Sequence, residues 1–282
     1  MSELNINANS SRYDLKALTD KVKSCLVKER YMVIDCFNND VTAFYTTRLG
    51  GNSVAPYDSF NLAHHVGDDN EQVMQNRALV KADFGFERLC FMEQTHSSDV
   101  IIVDESNLET PIFNCDGLVT KLKKTALAVM TADCLPLLLC DERNDVVAAI
   151  HCGWKGIERN IIGNAIDVME SQGAELSTIV PYLGPAIGPD SFEVGPEVKA
   201  IFEAKHPAHS QAFVLRDGVK TELGGPKYLC DIYKLAIIEL ESHGVTSRPF
   251  GGHCDTYMQS KVFYSYRKEK VTGRMASIIC LN

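Results

Sequence analysis

Cys134 and His151 stand on two apolar runs that flank a charged turn. A thiolate facing an imidazole is a pair of metal ligands, or a nucleophile with its base. The runs end at Cys140 and resume at Val146, and Asp141–Asp145 separates them, a pattern that predicts a β-hairpin. If Cys140 pairs with Asp145, paired residue numbers sum to 285, and Cys134 then faces His151 at the open end. Directly opposed Cβ atoms lie roughly 4.5–5.5 Å apart. A zinc ion, with Zn–S about 2.3 Å and Zn–N about 2.0 Å, can bridge that gap. A one-residue slip would set Cys152 opposite Cys134 instead, and Pro136 belongs at an edge or a bulge. Without the hairpin argument, Cys134 reads as a buried thiol in an apolar run.

The neighbours extend the pattern. Asp133 can orient a ligand or act as an acid or base, or simply cap a turn. Gly153 and Gly156 permit a tight turn from strand into helix. The free N–H groups there can hold a phosphate, or the pair is a plain connection. A catalytic zinc takes three protein ligands and keeps an open position, so a third ligand is needed. Of the eight histidines, His64, His65, His206, His209 and His243 sit in polar contexts and His253 in a glycine-rich turn. His96 falls between two predicted strands, where a loop can present it to a cleft; on position alone it reads as a solvated loop histidine.

The elements that must position these residues follow from periodicity. Ser11 and Asp14 open a predicted amphipathic helix through Leu15, Leu18, Val22 and Leu26, ending near Lys28. Residues 1–30 therefore read as an N-terminal extension with one helix, and 31–282 as a single domain. Strands are predicted over 31–37 and 41–47, then near 88–92, 99–103 and 126–131, with the hairpin across 135–150. Asp68 or Asp69 caps a helix carrying Val73, Met74 and Ala78. Further helices are predicted near 157–171, 195–204 and 227–242, and final strands near 262–266 and 275–281. The mixture has no strict βαβ rhythm, which predicts an α+β fold: one domain with mixed β-sheets flanked by helices.

Composition narrows the function. The chain carries 28 basic against 37 acidic side chains, a net charge of −9, with no Lys/Arg-rich run for a nucleic-acid backbone. The start lacks a basic leader followed by an apolar stretch, and no apolar run reaches the roughly 18–20 residues of a membrane span. The expected setting is the cytoplasm, with neither nucleic acid nor membrane as partner. Ten cysteines without CxxC pairs read as buried thiols, some of which can bind metal.

Three motifs then carry a resemblance. Glu93-Gln94-Thr95-His96, Ala132-Asp133-Cys134-x-Pro136 and His151-x-Gly153-Trp154-x-Gly156 are similar to the signatures of the laccase-domain, or YfiH-like, proteins. Thr46-Thr47-Arg48-x-Gly50-Gly51, Asn61-Leu62, Asn76-Arg77 and Asp116-Gly117-Leu118-Val119-Thr120 agree, as do Gly184-Pro185-x-Ile187-Gly188, Phe263-Tyr264-Ser265-Tyr266-Arg267 and Thr272-Gly273-Arg274. The resemblance covers roughly residues 40–282. It implies a zinc ion, or copper, held by His96, Cys134 and His151. It also implies phosphorolysis of purine nucleosides (adenosine, inosine, guanosine, methylthioadenosine) and deamination of adenosine. Asp133 would move a proton, and Arg48, Lys155 and Arg267 would cradle phosphate. Three positions depart from the family's usual residues: Lys155 for Arg, Cys152 for Ala and Ala186 for Cys. Lys155 keeps the charge but loses the planar fork.

Other readings use the same residues: a copper phenol oxidase, a thiol hydrolase with Cys134 as nucleophile and a histidine as its base, or a metal- or nucleoside-binding protein without turnover. The absence of His-x-His pairs speaks against several coppers.

Overall fold

Arg48, Asp116, Asp141 and His151 are buried together with long apolar strands, so the fold has to supply each with partners. The structure, a computed structural model, describes Leu26, Val27 and residues 29–282. In chain order come β1 (Leu26–Val27), β2 (Tyr31–Val33), β3 (Val41–Thr46), α1 (Asn70–Phe84), β4 (Arg88–Cys90), β5 (Val100–Val103) and β6 (Gly117–Thr120). Next are β7 (Thr125–Thr131), β8 (Leu135–Asp141), β9 (Val146–Cys152), α2 (Trp154–Glu158), α3 (Ile161–Ser171), β10 (Ile179–Leu183), β11 (Glu193–Val194) and α4 (Pro196–Lys205). The chain continues through β12 (Phe213–Lys220), β13 (Pro226–Cys230), α5 (Ile232–Ser242), β14 (Phe250–Gly251), α6 (Tyr266–Glu269) and β15 (Met275–Leu281).

Two sheets of six strands pack face to face, in the orders β1-β2-β3-β15-β7-β4 and β14-β10-β8-β9-β6-β5, and a small sheet β11-β13-β12 lies beside them. Alternate residues of β8 and β9 sort onto two faces. Leu135, Leu137, Leu139, Ala148, Ile150 and Cys152 pack against the α3 and α5 side. Leu138, Cys140, Val147 and Ala149 fill the layer between the sheets. The outer face of the first sheet is covered by Val80 of α1 with Phe60, Phe86 and Phe91. Both faces of each sheet are thus covered, which is why β7, β8 and β9 are buried throughout and read as continuous apolar runs. This is the expected α+β fold with mixed sheets flanked by helices.

The hairpin forms with a different register. Asp141 pairs with Val146 and Pro136 with His151, so paired numbers sum to 287, not 285. Asp145 belongs to the turn, with a left-handed φ of 52°, and Asp141 stays in the strand. Its carboxylate closes the turn by accepting from Arg143 N–H (3.0 Å) and Asn144 Nδ2 (2.8 Å). A shift of two keeps the parity, so Cys134 still shares a face with His151, one step diagonal to it, and Cys152 points to the opposite core. Pro136 causes no bulge. Its carbonyl accepts from Gly184 N–H at the end of β10, so its missing donor faces β10 and not the β8–β9 ladder.

Other expectations change at their boundaries. The N-terminal helix lies outside the described residues except at its end, where Leu26–Val27 is a strand paired with Tyr31–Met32. The strand expected over 31–37 ends at Val33. The helix expected near 157–171 breaks at Arg159-Asn160, with Asn160 left-handed at φ 72°. Residues 226–230 form a strand, and the following helix waits for Asp231, whose carboxylate accepts from Lys234 N–H. Residues 262–265 are a buried loop leading into α6, where the apolar residues Val262–Tyr264 imitate a strand pattern. Among the described residues no helix is long and apolar enough to cross a membrane.

Ile150 sits at the centre of this arrangement, fully buried and paired with Leu137 on one side and Gly117 on the other. Ile150→Ala should cost about 2–5 kcal/mol, read as a lower urea midpoint with an unchanged slope.

Candidate metal centre and its cleft

His151 is the penultimate residue of β9, the strand between β8 and β6. Cys134 lies just before β8, and Asp116 just before β6. The three therefore meet at one end of the layer between the sheets. His96 arrives from a loop that follows β4. Gln94 ties that loop down, donating to Met130 O (2.7 Å) and accepting from Met130 N–H (2.8 Å), as an extra rung on β7.

Asp116 is fully buried. Its Oδ2 accepts from Thr95 N–H (3.1 Å), Ser97 N–H (2.7 Å) and Ser97 Oγ (2.9 Å). Its Oδ1 accepts from His96 N–H (3.1 Å) and His151 Nδ1 (2.7 Å). Burial alone would raise this carboxyl, but the bonds from His151 and Ser97 outweigh it and hold it at about 2. With Nδ1 committed to Asp116, His151 offers Nε2 to the cleft. Burial disfavours the charged ring, yet Cys134 and Asp116 lift its pKa to about 9. His96 sits at a left-handed φ of 59°, a conformation that the Asp116 bonds and an Arg159 hydrogen bond to its carbonyl (3.0 Å) keep in place. Burial, then the neighbouring His151, lowers its pKa.

His96, Cys134 and His151 each bring one ligand atom within 4.8 Å of the other two, and no other such group of three occurs among the described residues. Two observations fit a metal here. His96 Nδ1 is buried and bonds nothing, although a buried polar atom ordinarily has a partner. And Gly153 keeps the space open: a Cβ there would collide with His96 Nδ1 and stand 3.3 Å from Cys134 Sγ. A Cys/His/His set suits zinc or copper, and three protein ligands beside a cleft leave a coordination position open.

The cleft has two lobes that meet at the trio. One is mostly apolar, walled by Trp154, Ile187, Phe192, Ile232 and Tyr266, with Lys155, Arg267 and Asp133 on it. The other is polar, lined by His65, Gln94, Thr131, His151 and Arg274. Asp133 accepts from Thr256 Oγ1 (2.6 Å) and Arg267 N–H (2.6 Å), which fastens α6 to the rim, and burial raises its pKa against those bonds. Arg267 also donates to Glu193 O (2.9 Å). Lys155 is exposed, over the Trp154 ring at 5.7 Å.

Arg48, expected at the phosphate, lines neither lobe. It pairs with Glu269 (2.7 Å), donates to Ser260 O (2.7 Å) and lies 4.8 Å from the Tyr264 ring centroid, joining the end of β3 to α6. The glycines after β9 have a steric use: Gly153 clears the trio, and a Cβ at Gly156 would press Ser97 O at 3.3 Å. In the sequence Asp116 and Arg274 are visible only as parts of motifs. An aspartate opening an apolar run was the available signal for the first, and a basic residue after Thr-Gly, at the root of the last strand, for the second.

Fold and site together define a protein with a His/Cys/His group, able to hold a metal ion, at the junction of two hollows. Residues 42–282 match the family described as "Multi-copper polyphenol oxidoreductase laccase". The chain is 40% identical over 241 residues to a purine nucleoside phosphorylase of Pseudomonas aeruginosa, across 86% of this chain and 93% of that protein. It is 39% identical over 242 residues to purine nucleoside phosphorylase YfiH of Escherichia coli, across 86% of this chain and 94% of that one. The crystal structure of a Neisseria meningitidis protein superposes with a TM-score of 0.80 at 37% identity, across 90% of this chain and 99% of that one. The chain belongs to this laccase-domain, YfiH-like family.

Two substitutions separate the roles of Asp116 and Arg48. Asp116→Asn turns an amide N–H₂ toward N–H donors whichever way it is placed, and should weaken metal binding about 10–100-fold, measured against a competing chelator. Arg48→Ala should instead lower stability by about 3 kcal/mol in urea unfolding and leave the Michaelis constant for phosphate unchanged.

Proposed function

We propose that this chain is a purine nucleoside phosphorylase with adenosine deaminase activity, dependent on zinc held by His96, Cys134 and His151. One observation carries the reading: the trio stands where an aromatic, apolar lobe meets a polar, cationic one. A purine base can stack in the first, and phosphate with the ribose hydroxyls suits the second. The relatives that bear the name purine nucleoside phosphorylase match over most of their length, which supports it.

When bound, the zinc ion would supply Lewis-acid chemistry at the reacting carbon. The protein does the rest. Asp116 fixes the tautomer and angle of His151. Trp154, Phe192 and Tyr266 bind the base and exclude water from one side. Arg274, in the polar lobe, offers positive charge to phosphate, and Arg267, on the apolar lobe, offers it to the transition state. Asp133, whose burial favours the protonated form, is suited to move the proton that deamination requires. Adenosine, inosine, guanosine and methylthioadenosine share the purine and ribose that the cleft would grip. Every described cysteine is a free thiol, which suits a cytoplasmic enzyme.

A second reading has its own support. Cys134 and Asp116 both interact with His151, so the three also form a thiol, base and orienting acid. The bare Nδ1 of His96 favours the metal, because a thiol hydrolase gives that atom no use. A multicopper oxidase needs further ligand clusters, and none occurs among the described residues.

Purified protein incubated with adenosine should yield adenine only when phosphate is present, and inosine in its absence, with both lost to a chelator and restored by zinc. Cys134→Ala, His96→Ala and His151→Ala should each lose bound zinc by elemental analysis and both activities, while keeping the wild-type circular dichroism. Full activity after chelation would assign the site to thiol chemistry; full zinc in Cys134→Ala would remove that residue from the ligand set.

A further inference from the structure

Arg274 projects from the root of β15 into the polar lobe. Its backbone is clamped: its N–H donates to Asn61 Oδ1 (2.8 Å), and its carbonyl accepts from Leu62 N–H (3.2 Å). Its Nη1 donates to the carbonyls of Thr272 and Gly273, each at 3.0 Å. The guanidinium lies 5.7 Å from the Tyr266 ring centroid. Among the described residues no carboxylate forms an ion pair with it, and none accepts a hydrogen bond from its Nε or Nη2. Arg30, Arg48 and Arg88, by contrast, each pair with a carboxylate.

A half-buried guanidinium is costly to leave without an anion, and its planar fork matches a tetrahedral oxyanion better than an ammonium does. Burial already lowers the pKa of Arg274 from the usual arginine value. The other cations of the cleft are less in need of a partner. Lys155 is exposed, so water satisfies it. Arg267 is bonded to Glu193 O and lies against Phe192 at 5.5 Å.

We propose that Arg274 anchors an oxyanion subsite in the polar lobe, that inorganic phosphate is its ligand, and that phosphate therefore approaches the trio from the side opposite Lys155 and Arg267. Its place in catalysis rests on the phosphorylase reading. A phosphate oxygen forms the bond to ribose C1′ as the C1′–N bond breaks, and the released electron pair, with a proton from the phosphate, goes to the purine. Base and phosphate then occupy different lobes, with the ribose spanning the trio.

The test is equilibrium binding of inorganic phosphate to the full-length protein by calorimetry, followed by phosphorolysis kinetics. Arg274→Gln should weaken phosphate binding about tenfold or more and raise the Michaelis constant for phosphate alike, with that for adenosine unchanged. Arg274→Lys, which keeps the charge but not the fork, should fall between, and it decides the matter should the glutamine variant fail to fold. Lys155→Ala should leave the phosphate dissociation constant as in the wild type. The inference is overturned by a wild type that binds no phosphate, by Arg274 variants that bind it as the wild type does, or by loss of binding in Lys155→Ala alone. A wild type that binds phosphate through Arg274 yet never releases adenine would retire the phosphorylase reading and leave the subsite standing.

Discussion

The buried carboxylate of Asp116 holds the site together. A bare carboxylate in this layer would be expensive, and it is tolerated because both oxygens are saturated by donors. The dependence runs both ways. Thr95, His96 and Ser97 would otherwise leave three backbone N–H groups without acceptors in a loop that has no ladder of its own. One side chain thus shapes the loop that carries His96 and sets the tautomer of His151. The backbone repeats the link, because His151 N–H donates to Asp116 O at 2.7 Å.

The sheet makes that link possible. β9 is the inner strand of a three-strand ladder, so the residue at its end has a neighbour on each side: Asp116 at the head of β6 and Cys134 ahead of β8. The Asp116 carboxylate on one side and the Cys134 sulfur on the other hold the imidazole between them, which fixes its plane. The cost appears as local strain. His96 and Asp133 hold left-handed backbones at φ 59° and 92°, which surrounding hydrogen bonds must maintain. Gly153 adds no side chain where one would fill the space between the ligands. A site with two non-glycine residues in strained conformations is bought with the stability of the apolar layers around it.

What the sequence disclosed depended on parity. The hairpin and the shared face of Cys134 and His151 were legible because charged residues broke two apolar runs. The register missed by two, since nothing in Asp141–Asp145 reveals which aspartate stays in the strand. That error was harmless for the face, whereas an error of one would have exchanged His151 for Cys152. Long apolar strands and the Asp69-capped helix were legible through strong local signals. The strand at 226–230 was not, because propensity merged it with the helix beyond Asp231. Tertiary partners decided the rest. Arg48 looked like a free cation at a strand end, but Glu269 lies 221 residues away in the chain and no local pattern announces it. Asp116 and Arg274 matter for what they do or do not touch in space, which spacing along the chain does not encode.

The two lobes give the trio a role that ligation alone would not. A structural zinc site closes its coordination shell with four protein ligands. Here three ligands face a cleft whose walls differ in chemistry. The walls are set by elements from distant parts of the chain: α2 follows β9 directly, α6 is fastened by Asp133, and β15 delivers Arg274 beside the last residue of β7, with which Met275 pairs. The residue before Cys134 thus holds one rim of the apolar lobe, and the strand that borders the inter-sheet layer supplies the cation of the polar lobe. Moving any ligand would also move a wall. Under the proposed reading, a metal held by the trio would stand between the apolar and the polar end of one bound molecule.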